Sequence, residues 1–458
     1  MIIDFTTVEK GEVTRQGTVE LDATGKYYIE FEARFDYTPA IIPVIFATCR
    51  LRNEKYTLIT CTHSRTEENI HRYQINEIYQ GVHLDHADIP DCTSITLELE
   101  SLAEWVGQQL KNSTHRWFLT GSASEVNAEL YARYTTGFGL NYPEEGSYNK
   151  KFQITDKLSL RITERCYWDE SQEVTRLRDD CHFTIESVEP VSRIRLYHLA
   201  MSFRKLLSLF MTKPPRIESL QFTLTSGEKV VGLYYQQSPQ SFQEDPDMRM
   251  RRLFDSSSAR LRLIDMQQSF DTILSRYYTL QDDYIKMIDL LNASETGLPS
   301  EISFLQLTKL LELFHRTFLE NMSQEPFPQH YVDAGLPQRE KGKGPRWILV
   351  HRILHLLLYA SESIPSFATN TNLFKEFSDG IKTSRNYYTH YSKPFGKYHG
   401  PKQLPLANNQ LQQLARAVIL KHLGLPGPLI QRLLSHNFGN ILYPYDKNPY
   451  SLTYRPQQ

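Results

Sequence analysis

Arginine, asparagine and histidine stand close together in the stretch Thr383–Tyr391, TSRNYYTHY, as Arg385, Asn386 and His390. These residue types at this spacing suit the cleavage of RNA without a metal ion. Histidine is the side chain that gains and loses a proton near neutral pH. Arginine is always charged, and its planar fork holds two phosphate oxygens at once. The RNA brings the remaining reactant itself, a 2′-hydroxyl beside every phosphate.

An element must present these groups together, and residues 372–391 read as a helix. On it Asn386 and His390 are i and i+4 and share a face, with Arg385 on the shoulder beside them. Other helical stripes surround it. Phe270, Ile273, Leu274, Tyr277, Tyr284, Met287, Ile288 and Leu291 align within 265–292, and Leu307, Leu311, Phe314 and Phe318 within 303–322. Residues 347–363 form a nearly apolar third helix, and 408–423 with 429–436 a last pair split by Gly424-Leu-Pro-Gly-Pro. Helices of this number with short connections predict an antiparallel bundle.

Residues 1 to about 190 alternate instead. Tyr27–Phe35, Thr57–Thr62, Ser94–Glu100 and Leu158–Thr163 put apolar side chains at every second position, the pattern of strands with one buried face. A sandwich or barrel-like domain is the economical reading. One helix, near 190–213, interrupts it between prolines, with Ile194, Met201, Leu206, Leu209 and Phe210 as its buried side. Strands at 219–225 and 229–236 follow. A polar, proline-bearing stretch from Gln237 places the domain boundary near residue 245, giving domains 1–245 and 246–458. The fold class is therefore α+β and multidomain, a β-rich N-terminal domain followed by an all-α bundle.

The chain has 458 residues, 40% hydrophobic and 23% charged, the composition of a globular protein of more than one domain. Its 51 basic and 53 acidic residues nearly cancel. Between Arg339 and Lys402, however, eleven Lys or Arg (339, 341, 343, 346, 352, 375, 382, 385, 393, 397, 402) face four acids, Glu340, Glu362, Glu376 and Asp379. That surplus around the motif is the footprint of a phosphate-binding cleft. Five scattered cysteines without a C-x-x-C pair fit reduced thiols, no apolar run is long enough to span a membrane, and the N-terminus lacks the basic start of a signal peptide. A cytoplasmic protein is expected.

A late helical domain whose key helix ends in R-N-x-x-x-H resembles the HEPN superfamily of nucleases, through Arg385, Asn386 and His390. With a β-rich domain ahead of it, the whole resembles the ApeA family of bacterial anti-phage proteins. The resemblance implies a metal-independent endoribonuclease needing no cofactor, toxin-like and often directed at tRNA. It also implies a homodimer through the HEPN domain, and abortive infection set off by a phage-derived trigger at the N-terminal domain. In that scheme His390 is general acid or base, Arg385 neutralises the transition-state oxygens, and Asn386 orients the histidine or donates to phosphate. The products are a 2′,3′-cyclic phosphate and a 5′-hydroxyl. Lys382, Lys393 and Lys397 are placed to grip phosphates, while Tyr387, Tyr388 and Tyr391 either stack on bases or pack in the core.

Two other readings compete. One is a HEPN module that binds nucleotide or RNA, or dimerises, without catalysis. The other is a metal-dependent hydrolase at His83–Cys92, where His83, Asp85, His86, Asp88, Asp91 and Cys92 offer ligand types. His351 and His355, i and i+4, could ligate zinc but read better as packing. Glu312 and Glu320, on the second bundle helix, are candidates to point at the motif. No G-x-x-x-x-G-K-[ST] loop is present, so no NTP hydrolysis is expected.

Overall fold

A computed structural model describes residues 2–9, 12–22, 26–32, 40–49, 54–67, 70–84, 91–106, 148–171, 174–211, 215–232, 261–295, 298–320, 329–337, 347–362, 371–390 and 399–435. The chain divides into two compact units. One comprises Met1–Phe203 with Pro215–Ser258, the other Arg204–Pro214 with Ala259–Gln458. The boundary expected near residue 245 lies outside the described residues.

Twelve antiparallel strands build the first unit: β1 Ile2–Glu9, β2 Glu12–Leu21, β3 Tyr27–Glu32, β4 Ile41–Cys49, β5 Lys55–Glu67, β6 Ile70–Gln80, β7 Cys92–Leu99, β8 Tyr148–Thr155, β9 Leu158–Ser171, β10 Val174–Val191, β11 Ile217–Leu224 and β12 Lys229–Gly232. They run in the order β3-β2-β1-β4-β5-β6-β12-β11-β7-β10-β9-β8. β3 also pairs with β6, from Tyr27↔Ile75 to Glu32↔Ile70, so the first six strands form a ring of pairings. The remainder of the sheet stays open and ends on β8. β6 serves both halves because its far end, Tyr79 and Gln80, pairs with Gly232 and Val231 of β12.

Alternation explains both cores. Inside the ring Val19, Tyr27, Ile29, Phe31, Ile45, Leu58, Cys61, Tyr73 and Ile75 are buried, with Phe31 stacked on Tyr73 at 5.4 Å. On the open half, Ile95, Leu97, Leu160, Ile162, Phe183 and Ile185 form one buried face. Two helices belong with it, α1 Leu102–Val106 and α2 Arg193–Leu207. Phe203 of α2 meets Phe183 at 4.7 Å and Trp105 of α1 at 6.2 Å. The buried stripe of α2 is Leu196, Leu199, Ala200, Phe203 and Leu206. Ile194, expected inside, is 59% exposed.

The last turn of α2 groups with the second unit rather than with the β-rich one. Arg416, only 2% exposed, donates to the carbonyls of Ser208 and Leu209 and pairs with Glu295, and Lys205 pairs with Asp289 at 2.7 Å. The other helices are α3 Leu263–Met266, α4 Phe270–Thr279, α5 Gln281–Ser294, α6 Ser300–Phe314, α7 Gln329–Asp333, α8 Leu349–Ser361, α9 Thr371–His390, α10 Leu404–Leu423 and α11 Gly427–Ser435. α6 packs on α5, α9 and α10, and α8 packs on α9 and α10. The single helix expected over 265–292 is broken. Tyr277 and Tyr284 stack at 5.7 Å, whereas seven residues of straight helix would separate them by about 10 Å. The backbone turns out at Leu280 (φ −119°, ψ 34°), which lets both rings enter the core.

α6 runs into one π-helical turn, His315–Leu319. It places His315 Nε2 3.0 Å from His355 Nδ1 of α8, with Trp347 stacked on His355 and Tyr331 against its edge. Burial holds both rings below the ordinary histidine range, helped at His315 by the charge of Arg352. His422 of α10, stacked on Phe318 at 4.2 Å, is pushed to about 4 by burial and by Arg276. These rings are neutral when folded and titrate near 6.5 when unfolded. The unfolded chain therefore binds more protons between pH 6.5 and about 4, and stability is lost as pH falls through that window. Each histidine contributes at most about 1.4 kcal/mol per pH unit. Thermal unfolding of the full chain should shift down from pH 7 to pH 5, and less so in His422→Gln. A midpoint that holds or rises would contradict neutral buried rings.

Candidate active site

α9 owes its placement to a buried face made of Phe374, Phe377, Ser378, Ile381, Ser384 and Tyr388. The spacing of three, one, three, three and four residues keeps this stripe on one side of the helix. Ser378 and Ser384 satisfy their hydroxyls locally, each donating at 2.7 Å to the carbonyl four residues back. Thr383 and Thr389 do the same toward Asp379 and Arg385 on the outer side. Small hydroxyl residues thus line the helix without leaving a buried donor unpaired.

The opposite face carries the motif. Lys382, Asn386 and His390, i, i+4 and i+8, are all exposed, and Arg385 is half-buried at the margin of the same face. By helical geometry the Cβ atoms of Arg385 and His390 lie on the order of 10 Å apart, at either side of Asn386. That span leaves room for a phosphodiester between a long guanidinium and a short imidazole. Tyr391, Lys393 and Lys397 lie outside the described residues. Tyr387 is half-exposed, but Tyr388 is a core residue. Its ring meets Phe304 edge-on at 6.0 Å, and its hydroxyl donates to the carbonyl of His399 at 2.9 Å.

Of the eleven basic residues around the motif, five fall among the described ones: Arg352, Lys375, Lys382, Arg385 and Lys402. Arg352 is not available to a ligand at the surface. It is buried on α8 and bonded to Glu320 at 3.1 Å. Glu320 and Glu312, the two acids considered as neighbours of the motif, pair with Arg352 and with Arg316. His355 is likewise occupied by His315. Glu362, on the same helix end, accepts from Tyr331 and from Lys421. Burial pushes its carboxyl up, but those hydrogen bonds and the Lys421 charge outweigh it and hold it below the usual range.

Two family models match the chain. "ApeA N-terminal domain 1" covers residues 7–277 and "Apea-like HEPN" covers residues 305–427, which include α9 and its motif. The chain belongs to the ApeA family. By family it is a HEPN protein of anti-phage defence, with the HEPN domain built by the helices from α6 to α10. No curated protein and no solved structure matches it. No described helix is long and apolar enough to cross a membrane.

Of the residues in the metal-hydrolase reading, the structure describes His83, Asp91 and Cys92. His83 donates to the Ala47 carbonyl at 3.1 Å and lies against Phe46, while Cys92 is 1% exposed within the sheet. Thr57 pins the same turn, donating to the Val82 carbonyl and accepting from the Leu84 N–H. Asp85, His86 and Asp88 lie outside the described residues, and among the described residues no group of three or more ligand types could hold a metal. The histidine is a strand-end anchor. His83→Ala should lower stability by about 1 kcal/mol through the lost hydrogen bond and ring contact. Denaturant unfolding measures this, and metal analysis of wild type and variant should agree. Zinc that copurifies with wild type and is lost in the variant would restore the metal reading.

Proposed function

We propose that the HEPN domain of this ApeA protein is a metal-independent endoribonuclease whose catalytic groups are Arg385, Asn386 and His390. The observation that carries this reading is the division of α9. Its inner face is consumed by packing, while Asn386 and His390 are exposed and Arg385 is half-buried at the margin between the two faces. In the proposed reaction the 2′-hydroxyl attacks the adjacent phosphorus and expels the 5′-oxygen. His390 removes the hydroxyl proton or supplies one to the leaving oxygen, and Arg385 holds the charge that builds on the non-bridging oxygens. Asn386, one turn before His390 on the same face, orients it or donates to the phosphate.

One α9 offers one imidazole, whereas attack and departure each need a proton moved. A homodimer with two α9 helices across a shared cleft supplies the second imidazole, and this is the assembly proposed. Lys382, in line with Asn386 and His390, extends the phosphate contacts along the helix, and Lys393, Lys397 and Tyr391 are proposed as further RNA contacts. tRNA is the proposed substrate. The β-rich domain is assigned the phage-derived trigger, and cleavage of the host's own RNA then leads to abortive infection.

Purified protein should cut single-stranded or tRNA substrates in excess EDTA and leave 2′,3′-cyclic phosphate ends. Arg385→Ala and His390→Ala should each lower the rate by about 10²–10⁴-fold while keeping the helical circular-dichroism signal. DNA of the same sequence, lacking the attacking hydroxyl, should remain intact. Cleavage abolished by EDTA, or undiminished in His390→Ala, rules the mechanism out. Binding without cleavage in the wild type would leave a non-catalytic HEPN module.

A further inference from the structure

α9 has a glycine, Gly380, ten residues before the end of an otherwise regular helix. Glycine inside a helix is unfavourable relative to alanine, so its presence asks for a contact that only glycine permits. That contact is His399. A Cβ built on Gly380 would lie 3.2 Å from His399 Nε2, closer than side chains ordinarily approach. The imidazole thus sits in a notch cut into the helix, with Phe377 beside it at 6.3 Å between ring centres. His399 is 5% exposed, and its Nε2 makes no hydrogen bond among the described residues.

The backbone of His399 is held at both ends by the same helix. Its N–H donates to Ser384 Oγ at 2.7 Å, and its carbonyl accepts from Tyr388 at 2.9 Å. Ser384 is the residue before Arg385, and Tyr388 stands between Arg385 and His390. Tyr388 is itself clamped between Phe304 and Tyr387, at 6.0 and 4.9 Å. Nine residues after His390 the chain is therefore fastened back onto the turn that carries the motif.

Helix ends fray because their last four carbonyls have no partner within the helix. His390 is the last described residue of α9 and is exposed. We propose that His399 is a positioning residue of the ribonuclease site, a plug in the Gly380 notch that, through Ser384 and Tyr388, keeps the last turns of α9 wound and His390 at a fixed distance from Arg385. This rests on the assignment of Arg385 and His390 as catalytic. Burial pushes the His399 ring down to about 4, so it stays neutral near neutral pH and has no proton to give. Its contribution is shape together with two backbone hydrogen bonds.

The test combines stability with kinetics on the full chain. Gly380→Ala, normally stabilising in a helix, should lower the midpoint of thermal unfolding in the wild-type background and raise it in a His399→Ala background. His399→Ala and Gly380→Ala should each lower kcat for RNA cleavage by about 10–100-fold, the scale of a misplacement near 1 Å. KM should stay within about twofold, since no phosphate contact is removed. His399→Met, an apolar side chain able to fill the notch, should recover most of the activity; loss equal to His399→Ala would instead assign chemistry to the imidazole and overturn the proposal. Should His399→Ala not fold, Gly380→Ala and His399→Met still decide the matter, one losing and the other keeping kcat. Unchanged kcat in Gly380→Ala, or a stability effect of the same sign in both backgrounds, also overturns it. His390→Ala, run alongside, separates the two ideas. If it abolishes cleavage while the notch variants do not, positioning alone fails; if it cleaves as wild type, the catalytic assignment fails and the sign of the Gly380 effect still reports on the notch.

Discussion

Burial of Phe374, Phe377, Ile381 and Tyr388 fixes the rotation of α9 about its own axis, and that rotation decides which of its side chains meet solvent. Each such side chain contributes roughly 1.5–3 kcal/mol on leaving water, against at most about 1 kcal/mol for an exposed ion pair. The packed face therefore sets the geometry, and the charged face accepts what it is given. A rotation by one residue, about 100°, would carry Asn386 and His390 toward the core and expose Ile381. The motif is in effect written on the back of a packing surface, and any substitution that loosens the front moves the chemistry.

Behind α9 stands a core that is not dry. α8 packs on α9, and α8 is joined to the end of α6 by the His315–His355 hydrogen bond and by the Arg352–Glu320 pair. Arg352 Nη1 and His315 Nδ1 are buried without a partner among the described residues. Such groups contribute little net stability, because desolvation offsets most of their attraction, but breaking them strands a buried charge or donor. Their effect is to penalise every alternative alignment of α6 against α8. The π-helical turn at His315–Leu319 belongs to the same device, since the extra residue in that turn changes which side chains face α8. A polar lock here holds the support on which the α9 face rests.

How far this could be read beforehand differs from element to element. The helical run of α9 was legible over its described residues, Thr371–His390, because apolar periodicity and the motif coincide on it. The role of Tyr388 was open between stacking and packing, and only the position of His399 resolves it. Gly380 carries a signal, a glycine where a helix former is expected, but its cause lies nineteen residues downstream and leaves no pattern of its own. The break at Leu280 was hidden for a similar reason. Tyr277 and Tyr284 are seven apart and share a stripe whether the helix is straight or bent, and the bend is set by rings that pack from α6 and α10. On α2, the apolar Ile194 misled because the stripe that packs is Leu196, Leu199 and Phe203, one turn further round. Alternation identified strands and their buried faces, yet it holds no information on partners, so the β3–β6 pairing could not be foreseen.

That pairing organises a core of its own within the β-rich unit. Within the ring Ile29, Leu58 and Cys61 are fully buried, and Phe31 stacks on Tyr73 of the neighbouring strand. Burial pushes the Cys61 thiol up to about 12, the mark of an interior closed to water and unfit for thiolate chemistry. Outward positions differ in character. Arg72 of β6 lies over Tyr28 at 4.2 Å and pairs with Glu30 at 3.2 Å, a charged lattice across neighbouring strands.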